Sequence, residues 1–137
     1  MLVQIKSRWS SRIIFETEVG ASLDTDGLRL GAAVRIAYKS GADLSGAVLR
    51  DAVLSGRKVI ALVARVTRND GYEFFAWRFE DGDRIIAGCR NLTLAEFRAH
   101  VEREYPGTDK ARETLAILDF CERRFVDTPA EAAQAAA

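Results

Sequence analysis

Apolar and polar positions alternate over Phe15-Glu16-Thr17-Glu18-Val19, the period of a strand with one face turned to a core. With Ile13 and Ile14 before it, this run predicts a strand over 13–19. Leu2-Val3-Gln4-Ile5 predicts its partner, and the polar segment Lys6–Arg12 connects the two as a β-hairpin. The period lengthens from Ser22 to Ser40. Leu28, Ala32 and Ile36 recur every four residues, Leu30, Ala33, Val34 and Ala37 widen the same face, and Arg29, Arg35 and Lys39 lie more outward. This predicts an amphipathic helix, with Asp24 and Asp26 suited to its positive N-terminus and Gly41 to its C-terminal cap. Gly27 and Gly31 each cost a helix about 1 kcal/mol against alanine, so the start lies at Ser22 or as late as Asp26.

Further along, Val59–Val66 predicts a buried strand, Arg68-Asn69-Asp70-Gly71 a tight turn, and Tyr72–Phe79 a strand of alternating aromatic and other residues. Glu80-Asp81-Gly82-Asp83 turns again, and Arg84–Cys89 returns as the third strand of a meander. Either Phe75, Trp77 and Phe79 or the alternate set faces the core, leaving the other set as a candidate exposed patch. Thr93-Leu94-Ala95-Glu96 is a capping box, opening a helix that runs to about Tyr105 and ends at Pro106-Gly107. Asp109 starts another helix to about Phe125, with Ala111, Leu115, Leu118 and Cys121 on its buried face. The alanine-rich stretch 128–137 lacks large apolar anchors and is expected to be a flexible tail. The fold class is α+β: an antiparallel sheet covered by about three helices, forming a single domain over residues 1–127.

Residues 42–56 fit neither period. Ala42-Asp43-Leu44-Ser45-Gly46, Ala47-Val48-Leu49-Arg50-Asp51 and Ala52-Val53-Leu54-Ser55-Gly56 are tandem five-residue units, with alanine at 42, 47 and 52 and leucine at 44, 49 and 54. A helix or strand has no period of five, so each unit turns a small residue and a leucine inward from a short extended segment. A fourth unit, Arg57–Ala61, keeps only its central apolar residue. The segment 42–61 resembles the pentapeptide-repeat proteins, whose unit is A-[DN]-L-x-x and whose coil is a right-handed quadrilateral β-helix of four units. The resemblance implies about one such coil, fed into the sheet and covered by the rest of the domain. Val3-Gln4-Ile5 with Arg8-Trp9-Ser10, the block Gly41–Gly56, Arg84–Cys89 followed by Thr93–Arg98, and Ala111-Arg112-Glu113 together resemble a group of phage- and prophage-encoded pentapeptide-repeat proteins. That likeness spans most of residues 2–124 and implies a phage context inside a bacterial cytoplasm, with no activity attached.

Composition narrows the function classes. Lysine plus arginine and aspartate plus glutamate both number 20, which argues against a generic polyanion binder and against an acidic DNA mimic. The longest apolar run, Val59–Ala64, is about a third of the roughly 20 residues a membrane span needs. No secretory leader pattern precedes the first strand, so Cys89 and Cys121 are expected as reduced thiols of a cytoplasmic protein. The balanced charge is a sum of unlike halves: residues 1–70 hold 11 basic and 7 acidic groups, a net of +4, and residues 71–137 a net of −4.

Candidate chemistry is sparse. Cys89 reads as a buried strand thiol and His100, the single histidine, as a solvent-facing helix residue, so a thiol–imidazole catalytic pair is not expected. Neither a metal site nor a cofactor is predicted; the acidic loop 80–83 lacks the EF-hand pattern and no Gly-Lys-[Ser/Thr] loop occurs. What stands out is arginine beside aromatic residues: Arg8, Trp9 and Arg12, with Tyr72, Trp77, Arg78, Arg84 and Arg90 as further members of a candidate binding surface. Such pairs offer cation–π stacking and forked hydrogen bonds. The leading expectation is a non-enzymatic phage or prophage accessory protein that binds a host or defence protein stoichiometrically, anti-CRISPR-like inhibition being one form. The alternatives are a sponge that sequesters a small signalling nucleotide, and a structural homo-oligomeric module in which basic and acidic halves pair.

Overall fold

The computed structural model describes residues 1–44 and 47–128. They form two compact units: Met1–Ala61 with Phe79–Asp81, and Leu62–Arg78 with the described residues from Gly82 on. In chain order the elements are β1 (Leu2–Lys6), β2 (Ile13–Glu18), α1 (Asp26–Lys39), β3 (Val53–Leu54), β4 (Arg57–Thr67), β5 (Glu73–Phe79), β6 (Gly82–Ala87), β7 (Arg90–Leu92), α2 (Leu94–Glu104) and α3 (Asp109–Asp127). β1 and β2 make a two-stranded sheet, and β3 to β7 are hydrogen-bonded in chain order as a five-stranded meander. The class is α+β, with antiparallel sheets and three helices. No described helix is long and apolar enough to cross a membrane.

In the first unit the hairpin pairs Leu2 with Glu18 and Ile5 with Phe15. Ile5 and Val19 are buried while Glu16 and Glu18 face solvent, as the alternation requires. Thr25 caps α1 by accepting the Leu28 N–H on its side-chain oxygen at 3.1 Å, which fixes the helix start at the later of the two positions the sequence allows. Ala33, Val34 and Ala37 form the buried stripe of α1. The two helix glycines have a packing reason. A Cβ on Gly27 would lie 2.5 Å from the Asp51 carbonyl oxygen, and one on Gly31 1.9 Å from that of Val53. Backbone therefore packs directly on backbone.

The five-residue repeat is legible in burial and hydrogen bonding. Ala47, Leu49, Ala52 and Leu54 are buried along with Leu44. The Ala47 N–H donates to the Leu44 carbonyl at 3.0 Å, and five residues later the Ala52 N–H donates to that of Leu49 at 3.1 Å. Ser45 and Gly46, which complete the first unit, lie outside the described residues, as does the expected tail beyond Thr128. The β-helical coil implied by the resemblance is not formed among the described residues. Asp51 and Ser55 take positive φ (68° and 52°), and the chain doubles back so that Val53–Leu54 pairs antiparallel with Arg57–Lys58. The fourth unit lacks the inward alanine and leucine of the others. It extends as β4 instead of turning a fourth corner.

The second unit has its own core, in which Val63, Phe74, Ala76 and Ile85 of the sheet meet Phe97 and Val101 of α2 and Ile117, Leu118, Cys121 and Phe125 of α3. The expected exposed aromatic patch on β5 is absent: Phe74 and Ala76 are buried, and so are Phe75, Trp77 and Phe79 on the opposite face. A strand covered on both faces loses the distinction that alternation encodes. The returning strand keeps the expected six residues but lies two positions earlier, at Gly82–Ala87 instead of Arg84–Cys89. β6 stops at Ala87, and Gly88 (φ 59°) with Cys89 turns the chain into β7. The capping box forms as predicted: the Glu96 N–H donates to Thr93 Oγ1 at 3.2 Å, and the Thr93 N–H to Glu96 Oε1 at 2.9 Å. Arg98 joins α2 to α3 through Asp119 (2.9 Å) and Glu122 (3.0 Å).

The glycine contact gives a sign test. By helix propensity alone Gly31→Ala should stabilise by about 1 kcal/mol. With a backbone oxygen in the way it should instead destabilise by about 1–3 kcal/mol in urea denaturation. A stability gain contradicts the close approach.

Candidate functional site

The eight predicted surface residues divide between the units and divide again by role. In the first unit the β1–β2 turn carries Arg8, Trp9 and Arg12. It is held by its own backbone: the Ser7 N–H donates to the Arg12 carbonyl at 2.8 Å and the Ser11 N–H to that of Ser7 at 3.1 Å. Ser11 accepts a positive φ of 59° to close the turn, and Ser7 Oγ receives the Trp9 N–H at 3.2 Å. This built tip presents Trp9 to solvent with 78% of its surface exposed. The Arg8 guanidinium lies 5.5 Å from the Trp9 ring centroid, a cation–π pair. Two open grooves run along β1: one of about 400 Å³ between Leu2, Val3, Asp26 and Arg29, and one of about 310 Å³ reaching Arg8, Ser11 and Val48. β1 has β2 as its single strand neighbour, so its outer edge carries only the isolated Ser7–Ala47 bridge among the described residues.

In the second unit three of the five expected contacts are structural. Trp77 is fully buried and offers no surface. Arg78 pairs with Asp83 at 3.0 Å and donates to the Phe125 carbonyl at 2.6 Å and to that of Thr128, so it caps the C-terminal end of α3, where carbonyls lack helical partners. Arg84 donates to Asn91 Oδ1 at 2.6 Å and to the Asn91 carbonyl at 2.9 Å, clamping β6 to β7. These corrections share one cause: the partners lie far along the chain or across a strand pair that local patterning does not specify.

Tyr72 and Arg90 do converge, on an open cleft of about 200 Å³ that also brings together Arg68, Phe97, His100, Glu104, Tyr105 and Lys110. Arg68 is its anchor. Although charged it is only 5% exposed, and its guanidinium forks onto Asp70 at 3.0 and 2.9 Å and donates to Thr114 Oγ1 at 3.1 Å. The Arg68 hydrogen bonds hold the Asp70 carboxyl down at about 2. The same guanidinium lies 4.9 Å from the Tyr72 centroid and 5.4 Å from that of Phe74, while Tyr72 Oη donates to the Ala87 carbonyl at 3.2 Å. Tyr72 is thus locked in place with 39% of its surface exposed. Lys110 Nζ sits 4.7 Å from the Tyr105 centroid, and Arg90 is exposed at the start of β7.

His100 is buried, against the expectation of a solvent-facing residue. Its ring packs edge-on to Phe97 and Tyr105. Burial, followed by the positive charge of Arg90, pushes its pKa below the usual value of 6.5, with Glu104 opposing. The sequence held a signal for this placement: His100 follows Phe97 by three residues and precedes Val101, all on one helical face. Arg68 and Lys110 gave no such signal, one reading as a turn residue and the other as helix surface. Cys89, expected as a buried strand thiol, is exposed in the β6–β7 turn, because the strand ends at Ala87. Cys121 is buried, which pushes its thiol up to about 11. The described residues contain no cluster of His, Cys, Asp and Glu suited to a metal ion.

Two measurements check these environments. One equivalent of thiol, Cys89, should react with an aromatic disulfide reagent in the native protein, and two after unfolding. For His100, a lowered native pKa means the unfolded chain takes up the proton first, so stability falls as pH drops below 6.5. Asp70 contributes only below its ordinary 3.8, which leaves the window from 6.5 to about 5 to the single histidine. His100→Phe should flatten the pH dependence of stability there; an unchanged slope would show that His100 is not buried as a neutral ring.

No family model, no curated protein and no solved structure matches this chain, so what its surfaces can do is read from their own residues.

Proposed function

We propose that the protein is a non-enzymatic binding module of a mobile genetic element, acting by stoichiometric contact with a host or defence protein through its β1–β2 hairpin. The observation that carries this reading is Trp9, 78% exposed on a hydrogen-bonded turn with Arg8 stacked on it. Leaving a tryptophan in water forgoes roughly 1.5–3 kcal/mol of burial. Tryptophan and arginine are also the residue types that dominate interface energetics when a partner covers them. The edge of β1 before the Ser7–Ala47 bridge, where the Lys6 carbonyl already accepts the Val48 N–H at 2.7 Å, and the grooves beside it add backbone donors and acceptors that an extended partner segment pairs with. Anti-defence inhibition is the form of this activity that fits the phage resemblance.

The test is retention of a protein at stoichiometric level from bacterial lysates by the immobilised chain. Trp9→Ala should lose it with an affinity drop of roughly thirtyfold, about 2 kcal/mol, and with an unchanged melting temperature, since the ring packs on no core. Recovery of the chain alone from several competent lysates, or equal retention by Trp9→Ala, removes the proposal.

A further inference from the structure

We propose that the cleft between α2, the start of α3 and the β4–β5 turn binds a small molecule carrying a phosphomonoester on a planar ring, the chemistry of a nucleoside monophosphate. The inference is independent of the hairpin and starts from which charges are already spent. Arg68 is neutralised by its fork onto Asp70, and a third of its five donors goes to Thr114. Glu104 lies 3.3 Å from Arg103. Arg90 and Lys110 line the same cleft and form no ion pair within 4 Å among the described residues, the Asp70 carboxylate acting on Lys110 only at longer range.

Two cations outside any close ion pair, facing one small space whose one lining carboxylate, Glu104, is held by Arg103, favour a dianion. A phosphomonoester carries about −1.5 to −2 charge at neutral pH, whereas a carboxylate leaves one cation unmatched. Lys110 is also the second residue of α3, whose N-terminal amides add positive potential on the same side. At about 200 Å³ the cleft is smaller than sites that enclose a whole ligand, roughly 300–1,000 Å³. It takes the phosphate and leaves the ring at the rim, where Tyr72 and Tyr105 offer aromatic surface. Tyr72 is held by Ala87 and Arg68 before any ligand arrives, so little ordering cost falls on binding.

The experiment is calorimetric titration of the full chain with adenosine 5′-monophosphate, inorganic phosphate and adenosine. The monophosphate should bind more tightly than either fragment. Arg90→Ala and Lys110→Ala should each weaken it about tenfold, and Trp9→Ala should leave it unchanged. Both substituted side chains are exposed, so the variants are expected to melt with wild type. Absence of monophosphate binding, binding of adenosine as tight as that of its monophosphate, or variants that bind like wild type overturns the proposal. Inorganic phosphate binding as tightly as the monophosphate overturns the part played by the ring.

Discussion

The first unit depends on a contact that no side chain makes. Gly27 and Gly31, one helical turn apart on α1, admit the carbonyls of Asp51 and Val53 to distances at which a methyl group would collide. Gly31 in the helix interior costs about 1 kcal/mol of propensity against alanine, and the fold accepts that cost to bring the repeat segment flush against the helix. Once the backbone is seated there, alternate positions of the repeat point inward, and Leu49, Ala52 and Leu54 become core. The period of five therefore does not need a coil of its own kind to be satisfied. A small-faced helix serves as the wall that further repeats supply in a longer array.

The second unit turns on a buried charge. Removing a guanidinium from water is costly unless it is paired and hydrogen-bonded, and Arg68 meets that condition through Asp70 and Thr114. The pairing has consequences beyond its own energy. It brings the β4–β5 turn onto α3, where Glu113 also accepts the Asn69 N–H at 2.8 Å. It also sets a cation against the rings of Tyr72 and Phe74. Gly88 completes the arrangement, since a Cβ there would lie 2.2 Å from Tyr72 Oη. A rigid aromatic wall beside the cleft follows from a constraint whose first effect is structural.

Features specified within one or two helical turns were legible in the sequence. The capping box at Thr93, the Asp70-Gly71 turn, the alternation of β2 and the inward repeat positions all follow from local spacing. Features set by remote partners were not. Period-two reasoning asks which face of β5 is buried and has no way to return both, so Trp77 read as a candidate surface residue. Arg78 stands between Trp77 and Phe79 in the sequence and caps a helix in space, and Arg84 clamps two strands. The cleft gathers residues from Arg68 to Lys110 across four elements and two turns, and of its lining only Tyr72 and Arg90 read as surface candidates from the sequence. The β-helical coil that the resemblance implies is not formed among the described residues for a related reason: a repeat unit reports its own turns, whereas a coil depends on what stacks against it.

The charge arithmetic acquires a different meaning once pairing is known. Residues 71–137 carry four more acidic than basic groups, so an arginine in this half has carboxylates in excess to choose from. Arg78, Arg84 and Arg98 lie within 4 Å of theirs. Arg90 and Lys110 have none that close among the described residues, in the half of the chain where leaving a cation unpaired is least expected. Exposed pairs contribute little to stability, typically below about 1 kcal/mol, so stability alone gives weak reason to pair these two or to leave them bare. Their convergence with Tyr72 and Tyr105 on one concave surface is what separates them from ordinary solvated charge. A formal net charge of zero is fully compatible with one small, locally positive site that recognises a ligand by geometry.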